Sequence, residues 1–225
     1  MLILASTSPR RQQLLTLAGY SFQIGSVNID ETPNPKEPAP EYVLRLAACK
    51  AQAVFENLAT DLRAEALVVA ADTTVAIEGE LLGKPQHPAE AEDMLRRLGG
   101  RTHQVYTGLV VFPGNGDSLQ SELCATDVLM RNYSDAEIQE YVASGDPLDK
   151  AGGYAIQHNG FHPVAEIQGC FANVMGLPLC VLSRLLGRYK MFPRSNATVA
   201  CQGVPGQTCK VYEYVSKESP VPEDK

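Results

Sequence analysis

Three things are scarce in these 225 residues: long apolar runs, paired cysteines and positive charge. Nothing approaches the roughly 18 consecutive apolar residues that a membrane-spanning helix needs, so no span is expected. The opening Met1-Leu-Ile-Leu-Ala5 is apolar for only five residues and lacks a basic segment, so it does not read as a signal peptide. The six cysteines (Cys49, Cys124, Cys170, Cys180, Cys201 and Cys209) include no Cys-x-x-Cys pair. Without an export signal they read as reduced, mostly buried thiols, and the expected compartment is the cytoplasm. Asn196-Ala-Thr198 matches a glycosylation acceptor, but a cytoplasmic protein never meets that machinery. Lys plus Arg number 19 against 26 Asp plus Glu, a net charge of −7. That balance argues against a nucleic-acid polymer as partner, since a long phosphate footprint needs a clustered basic surface. A small anion held by a few buried cations stays open.

What is present is ordinary in bulk. Hydrophobic content of 44% and charged content of 20% fit a soluble globular protein. A chain of this length buries roughly 70–75% of its unfolded surface and needs no disulfide or zinc staple. Leu2 to Ala5 is β-prone. A helix should follow, with Ser8 as N-cap, Pro9 at the first helical position and Gly19 just past the end. Ser21 to Asp30 reads as a second strand, and the four prolines between Glu31 and Pro40 as a loop. A long helix is predicted from about Pro40 to Leu58. Ala66 to Ala71 reads as a central strand that stops at Asp72. Glu78-Gly-Glu80 then marks a hairpin, and Pro88 to Leu98 a helix. Two strands, Thr102 to Phe112 and about Leu119 to Arg131, precede a capping box at Ser134-Asp-Ala-Glu137. Tyr154 to Gln157 and Val164 to Ile167 read as short strands, and Leu177 to Tyr189 as the last helix. Alternating helices and strands make the class α/β with a mixed sheet. Residues 1–190 form the expected domain, and 191–225 a poorly ordered tail.

Three places could carry chemistry. In Ser6-Thr-Ser-Pro-Arg-Arg11, three hydroxyls precede a helix N-terminus and two guanidiniums sit in its first turn. Cations there oppose the helix dipole unless an anion neutralises both, which suggests a phosphate; the alternative is that Ser8 merely caps and both arginines are solvated. Lys50 projects roughly 140° from Arg45 on the helical wheel, between Leu46 and Val54 on the apolar arc. It either snorkels past them or is kept charged by a partner. Asp72, after the apolar run, could bind a divalent cation, orient water or cap a turn. Glu31 is a possible second oxygen ligand, and Lys84 could return towards the same cleft. Other patterns carry less. Gly79-Glu-Leu-Leu-Gly-Lys-Pro85 is one residue short of a P-loop and has Pro where Ser or Thr must hold magnesium. His158 and His162 lie in an interrupted segment unsuited to zinc. Cys170 near them has no orienting Asn or Asp.

Taken in order, Ser6–Arg11, Asp30-Glu31, Lys50-Ala51, Ala71-Asp72-Thr73, Gly83-Lys-Pro85, Tyr106-Thr-Gly108, Asp149-Lys-Ala-Gly-Gly-Tyr-Ala-Ile-Gln157 and Asn173-Val-Met-Gly-Leu-Pro178 resemble the Maf family of nucleoside triphosphate pyrophosphatases. The resemblance covers roughly Leu2 to Tyr189. It implies an inosine-triphosphatase-like α/β fold, with two lobes around a long mixed twisted sheet and a deep central cleft. It also implies a divalent cation (Mg²⁺ or Mn²⁺) and hydrolysis of a nucleoside triphosphate to monophosphate and pyrophosphate. The family's catalytic Asp falls on Asp72, its phosphate-binding residues on Ser8, Arg10, Arg11, Lys50 and Lys84, and its metal-side acid on Glu31. Arg10, Thr73 and Gln157 match the pattern of the subgroup acting on dTTP and UTP. Thr73 and Gln157 could offer hydrogen bonds to a pyrimidine edge. A homodimer is plausible from the family. Two other readings are a non-catalytic nucleotide-binding regulator of septum formation and a 7-methyl-GTP pyrophosphatase on the same fold.

Overall fold

The computed structural model describes residues 1–158, 160–194 and 201. The chain runs β1 (Leu2–Leu4), α1 (Pro9–Leu17), β2 (Gln23–Ile24), α2 (Ala39–Glu56), α3 (Thr60–Arg63), β3 (Leu67–Ile77) and β4 (Glu80–Leu82). It continues α4 (Pro88–Leu98), β5 (Thr102–Pro113), β6 (Gln120–Met130), α5 (Asp135–Ala143), β7 (Val164–Gln168), α6 (Phe171–Val174) and α7 (Leu179–Gly187). The expected mixed sheet is there. Its seven strands follow the order β2-β1-β3-β5-β6-β7, with β4 pairing β3 outside that path. β1 is parallel to β2 and to β3, whereas β3 is antiparallel to β4 and β5.

Asp72 does not end a strand, as its sequence suggested; it sits inside the 11-residue β3. Pairing with β5 runs unbroken from Leu67↔Pro113 to Ala76↔Gln104, and that register carries the polar Asp72-Thr73-Thr74 inside the ladder. The other edge of β3 is interrupted. β1 covers Leu67 to Val69, β4 covers Val75 to Ile77, and neither pairs with residues 70–74. After Ala5 the chain turns away into Ser6-Thr7-Ser8, so a gap opens in the sheet beside Asp72 and Thr73.

Alternation along β3 and β5 sorts the core onto two faces. Val68, Ala70 and Val110 pack under α2 with Ala47, Ala51 and Val54. Gly108 lies opposite Asp72, and a Cβ there would stand 2.5 Å from the Val43 carbonyl oxygen, so glycine lets α2 lie close to the sheet. On the opposite face, Val69, Ala71, Leu109 and Val111 pack with α1 and α7. Four buried leucines of α7 (Leu179, Leu182, Leu185 and Leu186) contribute about 1.5–3 kcal/mol each by leaving water. Farther along that face, Val75, Ile77, Val105 and Val128 pack with α4 and α5 as a separate cluster. Thr73 and Thr107, directly paired across strands, separate these two apolar bodies.

Two further expectations are corrected, and the N-cap at Ser8 stands without a side-chain bond. The second strand is two residues long, because β1 offers β2 only Ile3 and Leu4 as partners. Tyr154–Gln157 forms no strand: the Ala155 N–H is taken by the Tyr141 hydroxyl, and the Ala155 carbonyl by the His158 N–H in a turn. Ser8 is the N-cap residue, yet its side chain makes no capping bond; Ser6 Oγ instead accepts from the Ser8 N–H at 3.2 Å. Most of the tail expected after Lys190 lies outside the described residues, but Cys201 is buried against the α1–α7 cluster.

Candidate active site

The gap in the sheet opens into a cavity of about 360 Å³. Its wall includes Ser6, Thr7, Ser8, Arg10 and Arg11 from the start of α1, Lys50 from α2, Glu31 from the proline-rich loop and Lys84 from beyond β4. Thr73 lines it from β3, and Tyr154, Ile156 and Gln157 from the loop after α5. The structure therefore gathers every residue singled out by the sequence around one space, with one qualification. Asp72 is 7% exposed and stands behind Lys50 rather than in the wall itself.

Lys50 resolves its own ambiguity: it is partnered. Its Nζ lies 2.5 Å from Asp72 Oδ1 and 2.6 Å from Glu31 Oε1, so one ammonium bridges both carboxylates. Burial pushes the Asp72 carboxyl above its ordinary range; Lys50 and Arg11 oppose that, but burial wins. Glu31 moves the other way: desolvation acts upward and is outweighed by Lys50, Lys84 and Arg11. The Tyr42 hydroxyl donates to the Glu31 carbonyl at 2.9 Å and Arg45 Nη2 to the Thr32 carbonyl at 3.2 Å, which fixes the loop over α2.

Thr73, on the opposite side of β3, is bound to protein as well as facing the cavity. Its Oγ1 accepts from Arg11 Nη2 at 3.1 Å and lies 2.9 Å from Thr107 Oγ1. Thr107 has one hydroxyl proton and donates it to the Asn173 carbonyl at 3.1 Å. Thr73 must therefore donate to Thr107, and it meets Arg11 purely as an acceptor. Asn173 in turn donates to the Val105 carbonyl at 3.0 Å and to Thr126 Oγ1 at 2.9 Å. The Gly176 carbonyl takes Arg11 Nε at 2.8 Å, and Ser6 Oγ takes Nη1 at 3.4 Å. Of a guanidinium's five N–H groups these use three, leaving one on each terminal nitrogen for a ligand. Gly176 has φ +99°, and a Cβ there would lie 3.3 Å from Arg11 Nε, so glycine makes room for the clamp. Burial lowers the Arg11 pKa, with the Asp72 charge opposing.

Sequence reasoning missed some of the wall. Lys150, 8% exposed, lines the cavity while donating to Asp146 Oδ1 at 2.9 Å and Asp149 Oδ1 at 2.5 Å. Nothing but its place in the Asp149–Gln157 motif pointed there. Gly25, Ser26 and Val27, just after β2, gave no local signal at all. His158 Nδ1 accepts from the Phe161 N–H at 2.9 Å. Among the described residues no group of three or more His, Cys, Asp or Glu could hold a metal ion.

The arrangement can grip a polyanion. Arg10, Arg11, Lys50, Lys84 and Lys150 line one space with only Glu31 and Asp149 as acids, and charge-assisted contacts to phosphate are the strong ones. Fold and site define an α/β protein with an anion-receiving cleft at an open stretch of its sheet. The chain belongs to the Maf family: the family described as Maf-like protein matches residues 1–189. A relative from Syntrophus aciditrophicus named dTTP/UTP pyrophosphatase is 46% identical over 178 residues, 79% of this chain and 84% of that protein. Proteins of the same name from Myxococcus xanthus (46%, covering 84% of this chain and 92% of that one) and Caldicellulosiruptor bescii (45%, 82% and 92%) are similar too. Among solved structures, the Staphylococcus aureus Ham1 protein gives a TM-score of 0.43 at 14% identity, over 72% of this chain and 79% of that one. That likeness is too loose to add to what the sheet itself shows.

Proposed function

We propose that this chain hydrolyses nucleoside triphosphates, dTTP and UTP foremost, to the monophosphate and pyrophosphate. The observation that carries the reading is the buried Asp72 beside a cavity that Arg10, Arg11, Lys50 and Lys84 line. Water attacks the α-phosphorus in line, and pyrophosphate leaves. Asp72 accepts the water's proton, and burial suits it to the task by raising its basicity. Before that, Lys50 moves off Asp72 Oδ1 towards the incoming phosphates, since a carboxylate oxygen held at 2.5 Å by an ammonium is not free to take a proton. Arg11 offers its two remaining N–H groups to phosphate oxygens, while Arg10 and Lys84 hold charge that grows on the leaving group. Such preorganised donors are worth on the order of 10²–10³ in rate apiece.

A divalent cation fits this donor set. Glu31 and Asp72 would hold it through hard carboxylate oxygens, and two carboxylates are what magnesium takes when phosphates and water complete its shell. When bound, it supplies charge neutralisation on the phosphate oxygens. On the base side, Gln157 lines the cavity with an amide that both donates and accepts. Thr73 can offer a base only its remaining lone pair. Cys49, Cys124 and Cys170 are free thiols, which suits a reducing cytoplasm. No helix among the described residues is long and apolar enough to cross a membrane.

The test is a substrate panel of dTTP, UTP, CTP, GTP and 7-methyl-GTP with the purified chain and Mg²⁺. The expected ranking puts dTTP and UTP first, and a preference for a purine would overturn it.

A further inference from the structure

A charge belonging to the protein already occupies an oxygen of each carboxylate that a metal would use. Lys50 Nζ stands 2.5 Å from Asp72 Oδ1 and 2.6 Å from Glu31 Oε1. This is no surface pair. The Lys50 and Asp72 side chains are 15% and 10% exposed, and Glu31, at 48%, is the partner on the open side. Lys50 is fixed from below by the helix that carries it, with buried Leu46 and Val54 one turn to either side. Glu31 belongs to a loop fastened to that helix through Tyr42 and Arg45. One ammonium thus bridges the acidic pair, offsets one of its two negative charges and draws the loop over Asp72.

We infer that Lys50 is a built-in counter-cation that keeps Glu31 and Asp72 closed to divalent metal until a triphosphate draws it away. The inference rests on the reading that a metal-dependent triphosphate hydrolysis takes place here. The physical argument is exclusion. The same oxygens cannot serve an ammonium and a dication at once. A dication using the second oxygen of each carboxylate would still stand one carboxylate's width from a positive charge in a poorly solvated place. A triphosphate changes the balance by giving Lys50 other oxygens to bind. Metal and nucleotide then favour each other's binding, and linkage makes the favour mutual. Lys50 does two jobs in sequence: it guards the carboxylates, then grips the substrate.

A lysine that only binds phosphate and a lysine that also guards the carboxylates differ in a measurement that needs no turnover. Mn²⁺ is titrated against the purified full-length chain without nucleotide, following free Mn²⁺ by its electron paramagnetic resonance signal. Lys50→Met and Lys50→Gln should each bind Mn²⁺ more tightly than the original chain, on the order of tenfold. Lys50→Arg, which keeps the charge, should stay near the original affinity. All three should retain the circular dichroism of the parent, and if the Met variant fails to fold, the Gln variant carries the test. Unchanged or weaker Mn²⁺ binding in the neutral variants overturns the inference, as does an equal gain in Lys50→Arg. Pyrophosphate release from dTTP, measured on the original chain, separates that failure from failure of the hydrolase reading.

Discussion

Asp72 and Thr73 are neighbours in one strand, face opposite sides of the sheet, and are held in opposite ways. The Asp72 carboxylate is held by charge. Its partner Lys50 is shared with Glu31 from a loop, so an incoming anion can rearrange the contact. Thr73 meets a relay of neutral groups, through Thr107 to the carbonyl of the buried Asn173, and that relay holds Arg11. One side of β3 is arranged to change when ligand arrives; the other is arranged to stay. A site that must both fix a polyanion and release its products needs both kinds of support, and here one residue of offset along a strand supplies them.

The largest effect should come from the changeable side. Asp72→Asn removes the base while keeping the shape, and dTTP turnover should fall on the order of 10²–10³ at nearly unchanged thermal stability. Near-native kcat would remove Asp72 from the role of base. On the fixed side, His103 shares the Thr73 face; its Nε2 lies 2.8 Å from the Tyr154 hydroxyl, and burial pulls its pKa down to about 4. In the unfolded chain it titrates at 6.5, so between pH 6.5 and 4 the unfolded state binds the proton that the folded state refuses. Stability is then fully present above 6.5 and declines as pH falls, by about 3 kcal/mol across the window at 1.36 kcal/mol per pH unit. Urea midpoints at pH 7 and pH 5 should diverge in the original chain and diverge less in His103→Gln. Equal divergence in both would place the slope elsewhere.

Arg11→Met should cost about 10²-fold in kcat/KM for dTTP, mostly through KM, because it deletes the two free phosphate donors. A fall in kcat with KM unchanged would show that Arg11 serves only the transition state. Thr107→Val is the mildest. It removes one of two donors to the Asn173 carbonyl, which keeps the Gly176 N–H at 2.9 Å, and leaves the Thr73 hydroxyl without its acceptor; stability should fall by about 1 kcal/mol, which Thr107→Ser should restore. Steady-state kinetics and thermal melts of the pair decide it; a Val variant as stable as the Ser variant would mean that the relay holds nothing.

How much of this was legible in the sequence follows the same division. The cations were readable because each broke a local rule: Arg10 and Arg11 oppose a helix dipole, and Lys50 interrupts an apolar arc. Asp72 was readable as a residue but not as a position, because an apolar run followed by Asp-Thr-Thr looks like a strand end until the whole of β5 is seen to pair with it. Thr73, Thr107 and Asn173 each lie in a motif that carries the family resemblance, but nothing in the chain showed that they join in a relay. Its members are 34 and 66 residues apart, and threonines at alternate strand positions suit many surroundings. Lys150 was hidden similarly, among acids in a loop whose fold depends on glycines at positive φ.

Product analysis reaches the central idea most directly. The purified chain is incubated with dTTP and Mg²⁺, and phosphorus NMR follows the products with time. The account predicts dTMP and pyrophosphate in equal amounts from the first turnovers. Appearance of dTDP with orthophosphate, or no cleavage with Mg²⁺ or Mn²⁺, would contradict it.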